Sequence, residues 1–381
     1  MLGRYKKIKL CYGICMKVMT VFGTRPEAIK MCPLVLEMKK YDSIETIVCL
    51  TGQHKDMLNQ VMQVFGIKED YNLDIMKTRQ SLSMITASVL EGMDKILSEV
   101  KPDLVLVHGD TSTSFSAGLA AFYHNIPVGH VEAGLRTYDL HSPYPEEFNR
   151  QAVDLFAKFY FAPTEFARKN LLREGKKETD IYVTGNTVID ALQSTVRDTY
   201  SDDNLKWAEG FRLILVTAHR RENIGFAMKN MFRAIRQIVD ENHDVKVIYP
   251  IHKNPEVRAI ANEYLSSHER IRLIEPIDVL DFHNYIKKSY LILTDSGGIQ
   301  EEAPALGKPV LVMRDTTERP EGVAAGVLKL VGTSYQKIYD ETRKLLSNTE
   351  EYVNMSHAIN PYGDGHASEK IVEIIMDYFD K

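Results

Sequence analysis

The sequence predicts an α/β protein made of two successive Rossmann-like, doubly wound domains with a cleft between them. Two observations carry this reading. Short apolar runs of strand length alternate with longer segments of helical period along most of the 381 residues, which is the pattern of a parallel sheet covered by helices. The alternation lapses once, in the polar stretch YSDDNLKWAEG at residues 200–210, and then restarts, so the chain builds two such units.

In order, a strand at residues 18–22 leads into the turn GTRPE, where Pro26 suits the first turn of a helix running to Lys40. A strand at 44–50 precedes TGQHKD and a helix to Phe65; a short strand near Leu73 precedes a helix over 81–100. The strand at 104–107 ends in HGDTSTS, where Thr111 or Ser112 can cap a helix to Tyr123. Strands at 126–131, 159–162 and 181–184 complete the first unit, with helices starting near Glu146 and Thr164. The second unit has strands at 213–217, 245–249, 271–274, 291–294, 310–312 and 327–331, with helices between them. Residues 1–15 read as an extension ahead of a fresh start at Met16. The expected division is 16–200 for the first domain, 201–364 for a second Rossmann-like domain, and 365–381 for a last helix packing back on the first.

Hydrophobic content of 44%, charged content of 26% and a net charge of −5 describe an ordinary globular protein with no basic footprint for nucleic acid. Cys11, Cys15, Cys32 and Cys49 lack paired metal-ligand spacing and read as reduced thiols of a cytoplasmic protein. No apolar run is long enough to span a membrane.

Charge concentrates in the stretch HVEAGLRTYDLHSPYPEEFNR at 130–150, which holds His130, Glu132, Arg136, Asp139, His141, Glu146, Glu147 and Arg150. It follows a strand, and open α/β sheets bind ligands at the carboxyl ends of their strands. Other loops at strand ends, GTRPE, HGDTST, TAHRRENIG, YPIHKNP, DSGGIQEEAP and RDTTERPEG, face the same cleft on this reading. His108 and His130, beside strand ends, read as hydrogen-bonded core histidines. In DSGGIQEE, Ser296 is the expected helix cap, Gly297 and Gly298 let backbone N–H groups approach a diphosphate, and Glu302 can accept from a ribose diol. Arg25, Lys30 and Arg319 are natural phosphate partners. Asp110, Glu132 and Glu146 gather carboxylates whose repulsion and burial can raise one pKa enough for proton transfer, and His219 can assist a leaving phosphate. No GxGxxG, HExxH, Asp-x-Asp or Walker sequence occurs, so neither a bound NAD nor a metal is expected, and acid/base work without a cofactor remains.

At FGTRPEAIK, HGDTSTS, HVEAGLRT, PEEFNR, VTGNTVIDAL, DSGGIQEEAP, TERPEG and NPYGDG, the sequence resembles the non-hydrolysing UDP-N-acetylglucosamine 2-epimerases, over almost all of the chain from Met16. The resemblance implies the GT-B fold, a homodimer, and reversible conversion of UDP-GlcNAc to UDP-ManNAc for bacterial surface polysaccharide. It implies elimination of UDP to 2-acetamidoglucal followed by re-addition. Asp110, Glu132 and Glu146 then form the acid/base group, with Arg150 and His219 assisting, and Arg25, Lys30, Ser296, Gly297, Gly298, Glu302 and Arg319 hold UDP. Gln53, Arg79, Arg220 and His252 match a second, allosteric UDP-GlcNAc site, which Asp56 disfavours by placing an acid where a glutamine is expected. Three alternatives share the fold: a hydrolysing epimerase releasing ManNAc and UDP, a glycosyltransferase with an acceptor groove, and a non-catalytic nucleotide-sugar sensor.

Overall fold

The computed structural model describes residues 16–379, apart from residues 53–54 and 78–79 and the side chains of residues 55–57. The extension at 1–15, Gln53, Arg79 and the Asp56 side chain therefore lie outside the described residues. Strands β1 (Met16–Phe22), β2 (Ile44–Leu50), β3 (Tyr71–Asn72), β4 (Leu104–His108), β5 (Val128–Val131), β6 (Phe159–Ala162) and β7 (Ile181–Val183) form one sheet in the order β3-β2-β1-β4-β5-β6-β7. Strands β8 (Arg212–Thr217), β9 (Val245–Pro250), β10 (Ile271–Ile274), β11 (Leu291–Thr294), β12 (Val310–Val312) and β13 (Leu328–Leu330) form a second, ordered β10-β9-β8-β11-β12-β13. Every pairing is parallel.

The strands are apolar at nearly every position because helices cover both faces. In β4, Leu104 and Leu106 enter one core while Val105 and Val107 enter the core on the opposite face. In β8, Ile214 and Val216 likewise oppose Leu213 and Leu215. Alternation of side chains along a strand thus splits one apolar run between two helical layers. Helix starts are fixed by Ser81, Thr111, Asn254 and Asp278, each of which accepts a backbone N–H two or three residues ahead.

The polar stretch at 200–210 is not without structure. Asp202 caps a helix at Asp203–Ala208, and Leu205 and Ala208 are buried in the core of the second sheet. The last helix, Ala367–Phe379, leaves the second sheet and packs on the helices Arg25–Met38 and Thr187–Thr195 of the first. Ile371, Val372 and Ile375 are fully buried there, each contributing about 1.5–3 kcal/mol of apolar burial. Asp190 accepts the N–H groups of Ala367 and Ser368 at 3.2 and 2.7 Å, so the helix start is held as well as its apolar face. Beside it Gly185 and Gly363 touch: both have positive φ, and a Cβ on Gly185 would stand 3.2 Å from the Gly363 Cα.

Candidate active site

The carboxyl ends of the two sheets face each other across a cavity of about 540 Å³. From the first sheet come Arg25 and Lys30 after β1, His108 and Asp110 at the end of β4, and Glu132 after β5; from the second come His219, His252, Ser296, Gly298, Glu302 and Arg319. The cavity sits where strand order reverses, at the β1/β4 and β8/β11 neighbours, as open α/β sheets require.

Glu132 is the centre of the first wall. Its backbone has φ 69°, in the left-handed region that a non-glycine residue rarely occupies, so the surrounding contacts hold a conformation that costs of order 1 kcal/mol or more. Lys30 donates to its Oε2, Asn186 Nδ2 donates to the same oxygen at 2.7 Å, and His108 Nε2 lies 3.7 Å away. Oε1 is left over Gly109, 3.6 Å from where a Cβ would stand. Burial alone would push the Glu132 carboxyl up, but the charges of Lys30 and His108 outweigh it and hold the group well below the usual carboxylate range. The expected rise from carboxylate repulsion is therefore reversed at Glu132, because a cation and an imidazole stand nearer than any second carboxylate.

Lys30 and Arg319, expected at a diphosphate, both sit on carboxylates. Lys30 also lies 3.7 Å from Glu301 Oε2, and Arg319 Nε donates to Glu301 Oε1 at 2.7 Å while its Nη1 is 3.1 Å from Glu318. Burial lowers the affinity of Lys30 for its proton, and Glu132 and Glu301 more than restore it. Asn186 reaches Glu301 Oε2 at 3.1 Å as well, so one amide and one ammonium join a carboxylate of each half.

The stretch at 130–150 divides between site and scaffold. Asp110 is paired with Arg150, which also lies 3.3 Å from Glu147; Arg150 reaches the cavity only through Asp110. Glu146 opens the helix Glu146–Phe156 and stands outside the cavity lining. Glu147 beside it is fully buried and accepts the N–H groups of Thr137 and Tyr138 at 3.0 and 2.9 Å, tying the loop down. His130 is a core histidine, bonded to Asp154 at 2.6 Å and to the Gly109 carbonyl at 2.7 Å; Arg136 pairs with Asp154 and Glu174. His108 differs from that expectation: it lines the cavity, and its buried Nε2 has no hydrogen-bond partner. The density of charge thus serves a buried scaffold as well as a site.

The second wall is arranged around Asp295, fully buried after β11. It accepts the backbone N–H groups of His219 and Arg220, each at 2.9 Å, and the amide of Asn223 at 3.2 Å. That fixes the loop presenting His219, whose ring stacks on His252 at 5.6 Å. Burial pushes the His219 pKa down, and His252 and Arg220 add to the effect against the pull of Asp295. Arg220 turns to Glu318, 3.7 Å away, and does not line the cavity. Of the four residues matched to an allosteric site, Gln53 and Arg79 lie outside the described residues and only His252 is in the cavity wall.

Ser296 is not the helix cap. The helix Ile299–Ala305 starts after Gly298, with no side-chain bond to its first turn, because an extra turn intervenes and the Thr294 hydroxyl takes the Ser296 N–H at 2.9 Å. Gly297 stands just outside the lining, its Cβ position 3.3 Å from Arg319. Glu302 points into the cavity, its carboxyl held below the usual range against burial by His283, Lys30 and Arg25.

Sequence reasoning missed Glu27, Asn186, Glu301 and Asp295. Glu27 lies in GTRPE, three residues after its helix cap Thr24, a capping-box spacing; it accepts from Gly23, Thr24, Thr111 and Ser114 and joins two loops. The other three have no local signal, since their partners lie from 18 to 271 residues away and on separate loops.

Two doubly wound parallel sheets facing one another across a charged cleft define a GT-B-like α/β architecture. The family model described as UDP-N-acetylglucosamine 2-epimerase matches residues 36–376. The UDP-N-acetylglucosamine 2-epimerase of Bacillus subtilis is 58% identical over 364 residues, 96% of each chain, and that of Escherichia coli K12 is 52% identical over 95% of this chain and 99% of its own. The UDP-GlcNAc 2-epimerase of Neisseria meningitidis bound to UDP-GlcNAc superposes with a TM-score of 0.87 at 50% identity, covering 95% of this chain and all of that one. The S. aureus MnaA complex with UDP superposes at 0.89 and 52% identity, covering 96% and 97%. The chain belongs to the UDP-N-acetylglucosamine 2-epimerase family.

Proposed function

We propose that the protein interconverts UDP-GlcNAc and UDP-ManNAc by inversion at C2, without hydrolysis. The observation that carries the reading is Glu132: one carboxylate oxygen is tied to Lys30 and Asn186 while the other is left at the cavity, across from His219. The C2 proton of an N-acetyl sugar has no adjacent carbonyl to acidify it. Cleavage of the C1–O bond, its electron pair leaving with UDP, makes that proton acidic. A carboxylate then takes it, C1=C2 forms, and the product is 2-acetamidoglucal. Return of a proton to the other face of C2, with UDP adding back to C1, completes the inversion. Asp110 and Glu132, at the ends of adjacent strands and on the cavity wall, serve as acid and base, with Arg150 orienting Asp110; Glu146, which opens the neighbouring helix outside the lining, joins them on the family resemblance.

Arg25, Ser296, Gly297, Gly298, Glu302 and Arg319 hold UDP, and Lys30 serves Glu132. His219, neutral in the free protein because burial opposes its charge, gains a proton beside an arriving diphosphate and can give it to the leaving oxygen. A homodimer in the cytoplasm, supplying ManNAc units for surface polysaccharide, completes the proposal. The family resemblance supports it, as do the free thiols of Cys32 and Cys49 and the exposed Phe122, Tyr123 and Leu155 on adjoining helices, apolar surface suited to a second copy.

Proton NMR of the full chain with UDP-GlcNAc in D2O, no cofactor added, tests the reaction. UDP-ManNAc carrying deuterium at C2 is the expected product. Free ManNAc with UDP identifies a hydrolase, and an unchanged spectrum despite binding identifies a sensor.

A further inference from the structure

Glu302 is nearly enclosed, and a desolvated carboxylate keeps its charge and its orientation only if something donates to it. No side chain of the cavity wall does so. Behind it, on the helix Val279–Lys288, stands His283, fully buried, with Nε2 3.6 Å from Glu302 Oε2 and without any other partner. The other ring nitrogen, Nδ1, is 2.7 Å from the hydroxyl of Thr195, at the end of the helix Thr187–Thr195 that belongs to the first sheet. The Glu302 carboxyl is held below the usual carboxylate range, so it is ionised at neutral pH and can only accept. The ring nitrogen facing it must then carry hydrogen, which leaves Nδ1 of the neutral ring to accept from the Thr195 hydroxyl, in competition with the Ala191 carbonyl 2.9 Å from that hydroxyl. Glu302 Oε1 is left beside Gly298, 3.4 Å from where a Cβ would stand, at the cavity rim.

We propose that His283 is the positioning residue that aims Glu302 at the ribose diol of the bound uridine nucleotide, anchoring Oε2 from behind so that the carboxylate accepts the 2′- and 3′-hydroxyls. The inference rests on the reading of Glu302 as the ribose acceptor given above. The chemistry at C2 does not require His283; its burial, its unpartnered nitrogen and its direction assign it. Because Thr195 comes from the other half of the molecule, the ribose site is complete only when the two halves are seated as they are here.

The test is calorimetric titration of the full chain with UDP and with 2′,3′-dideoxy-UDP, read as the ratio of their dissociation constants. Hydrogen bonds to a charged acceptor are worth about 1.5–3 kcal/mol, so the unaltered protein should prefer UDP by roughly 10- to 100-fold. Glu302→Gln should lower that preference to a few-fold. His283→Leu should lower it similarly while leaving the 2′,3′-dideoxy-UDP constant nearly unchanged, and His283→Gln, which restores a donor at the reach of Nε2, should recover most of it. Thr195→Val should cause a smaller loss in the same ratio, and it serves if the leucine variant does not fold. Full preference in His283→Leu or Thr195→Val alongside a loss in Glu302→Gln overturns the role of His283 and leaves Glu302 as the ribose acceptor. Equal weakening of both ligands in His283→Leu also overturns it, since that is what a purely structural histidine would give. No preference in the unaltered protein, or an unaltered one in Glu302→Gln, overturns the reading of Glu302 itself.

Discussion

The two walls of the cleft hold similar residue types in opposite states. On the wall built by the first sheet the charges are already paired: Glu132 with Lys30 and Asn186, Asp110 with Arg150, Asp154 with His130 and Arg136. On the wall built by the second, Asp295 is consumed in holding the loop of His219 and Glu301 in pairing Arg319, while at the surface of the cavity the rings of His219 and His252 have chiefly each other to stack on. A paired carboxylate has a fixed position and stands deprotonated at neutral pH, ready to take a proton, which suits a base. A donor without a partner gains most from a ligand, which suits binding. Substitutions in the first wall should therefore strike turnover and stability, and those in the second should strike affinity.

Glu132→Gln tests that division most severely. It keeps the shape and removes the base, so kcat should fall by about 10³-fold while the UDP dissociation constant changes by less than threefold. Pre-steady-state turnover and calorimetry on the same preparation decide it; a comparable loss of UDP affinity would erase the difference between the walls.

Lys30→Met is next. Removing one partner of a buried pair should lower stability by about 3–5 kcal/mol, read by denaturant unfolding. The sign of the pH effect follows from Glu132. With Lys30 present its carboxyl is held low, so its stabilising charge is complete above the ordinary glutamate range and is lost as pH falls through the depressed value. Without Lys30, burial dominates and the carboxyl rises, so the acid limb of kcat/KM should move to higher pH. An unmoved limb would remove Glu132 from the base role.

His219→Asn belongs to the second wall and should weaken UDP binding by roughly tenfold, an effect near one hydrogen bond to a charged group. Its stability effect has a definite sign: the His219 pKa lies below the unfolded value, so the unfolded chain binds the proton more readily and the native protein loses stability as pH falls below about 6.5. The asparagine variant should show less of that loss in acid thermal melts.

Ser296→Ala should do the least to stability, less than about 0.5 kcal/mol, because Ser296 caps no helix. Asp278→Ala, which removes a real cap, should cost about 1 kcal/mol in the same unfolding assay.

How much of this was legible in the sequence follows from the range of the interactions. Strand positions and helix starts rest on local periodicity and on caps such as Ser81 and Thr111, which announce themselves within four residues. The cavity residues Arg25, Asp110, Glu132, His219 and Glu302 could be named because each follows a strand end, and strand ends are readable. Their partners could not. Lys30 looks like a phosphate ligand until Glu132, 102 residues on, is seen beside it, and Glu301 looks like any helix-start acid until it meets Arg319 and Lys30. Ser296 departs from the expectation for a local reason: a serine before two glycines resembles a cap, but a turn through Gly297 and Gly298 separates it from the helix.

The return of the last helix to the first sheet has a mechanical consequence. The chain crosses between the halves twice, after Thr195 and again before Ala367, and the Asn186 N–H to Tyr362 carbonyl bond at 2.7 Å lies beside the second crossing. A body hung from one strand can swivel about any axis. A body hung from two keeps a single easy rotation, about the line through its pins, as a door does. Any opening of the cleft is thereby guided along one arc, which returns the walls bearing His219 and Glu132 to the same facing position.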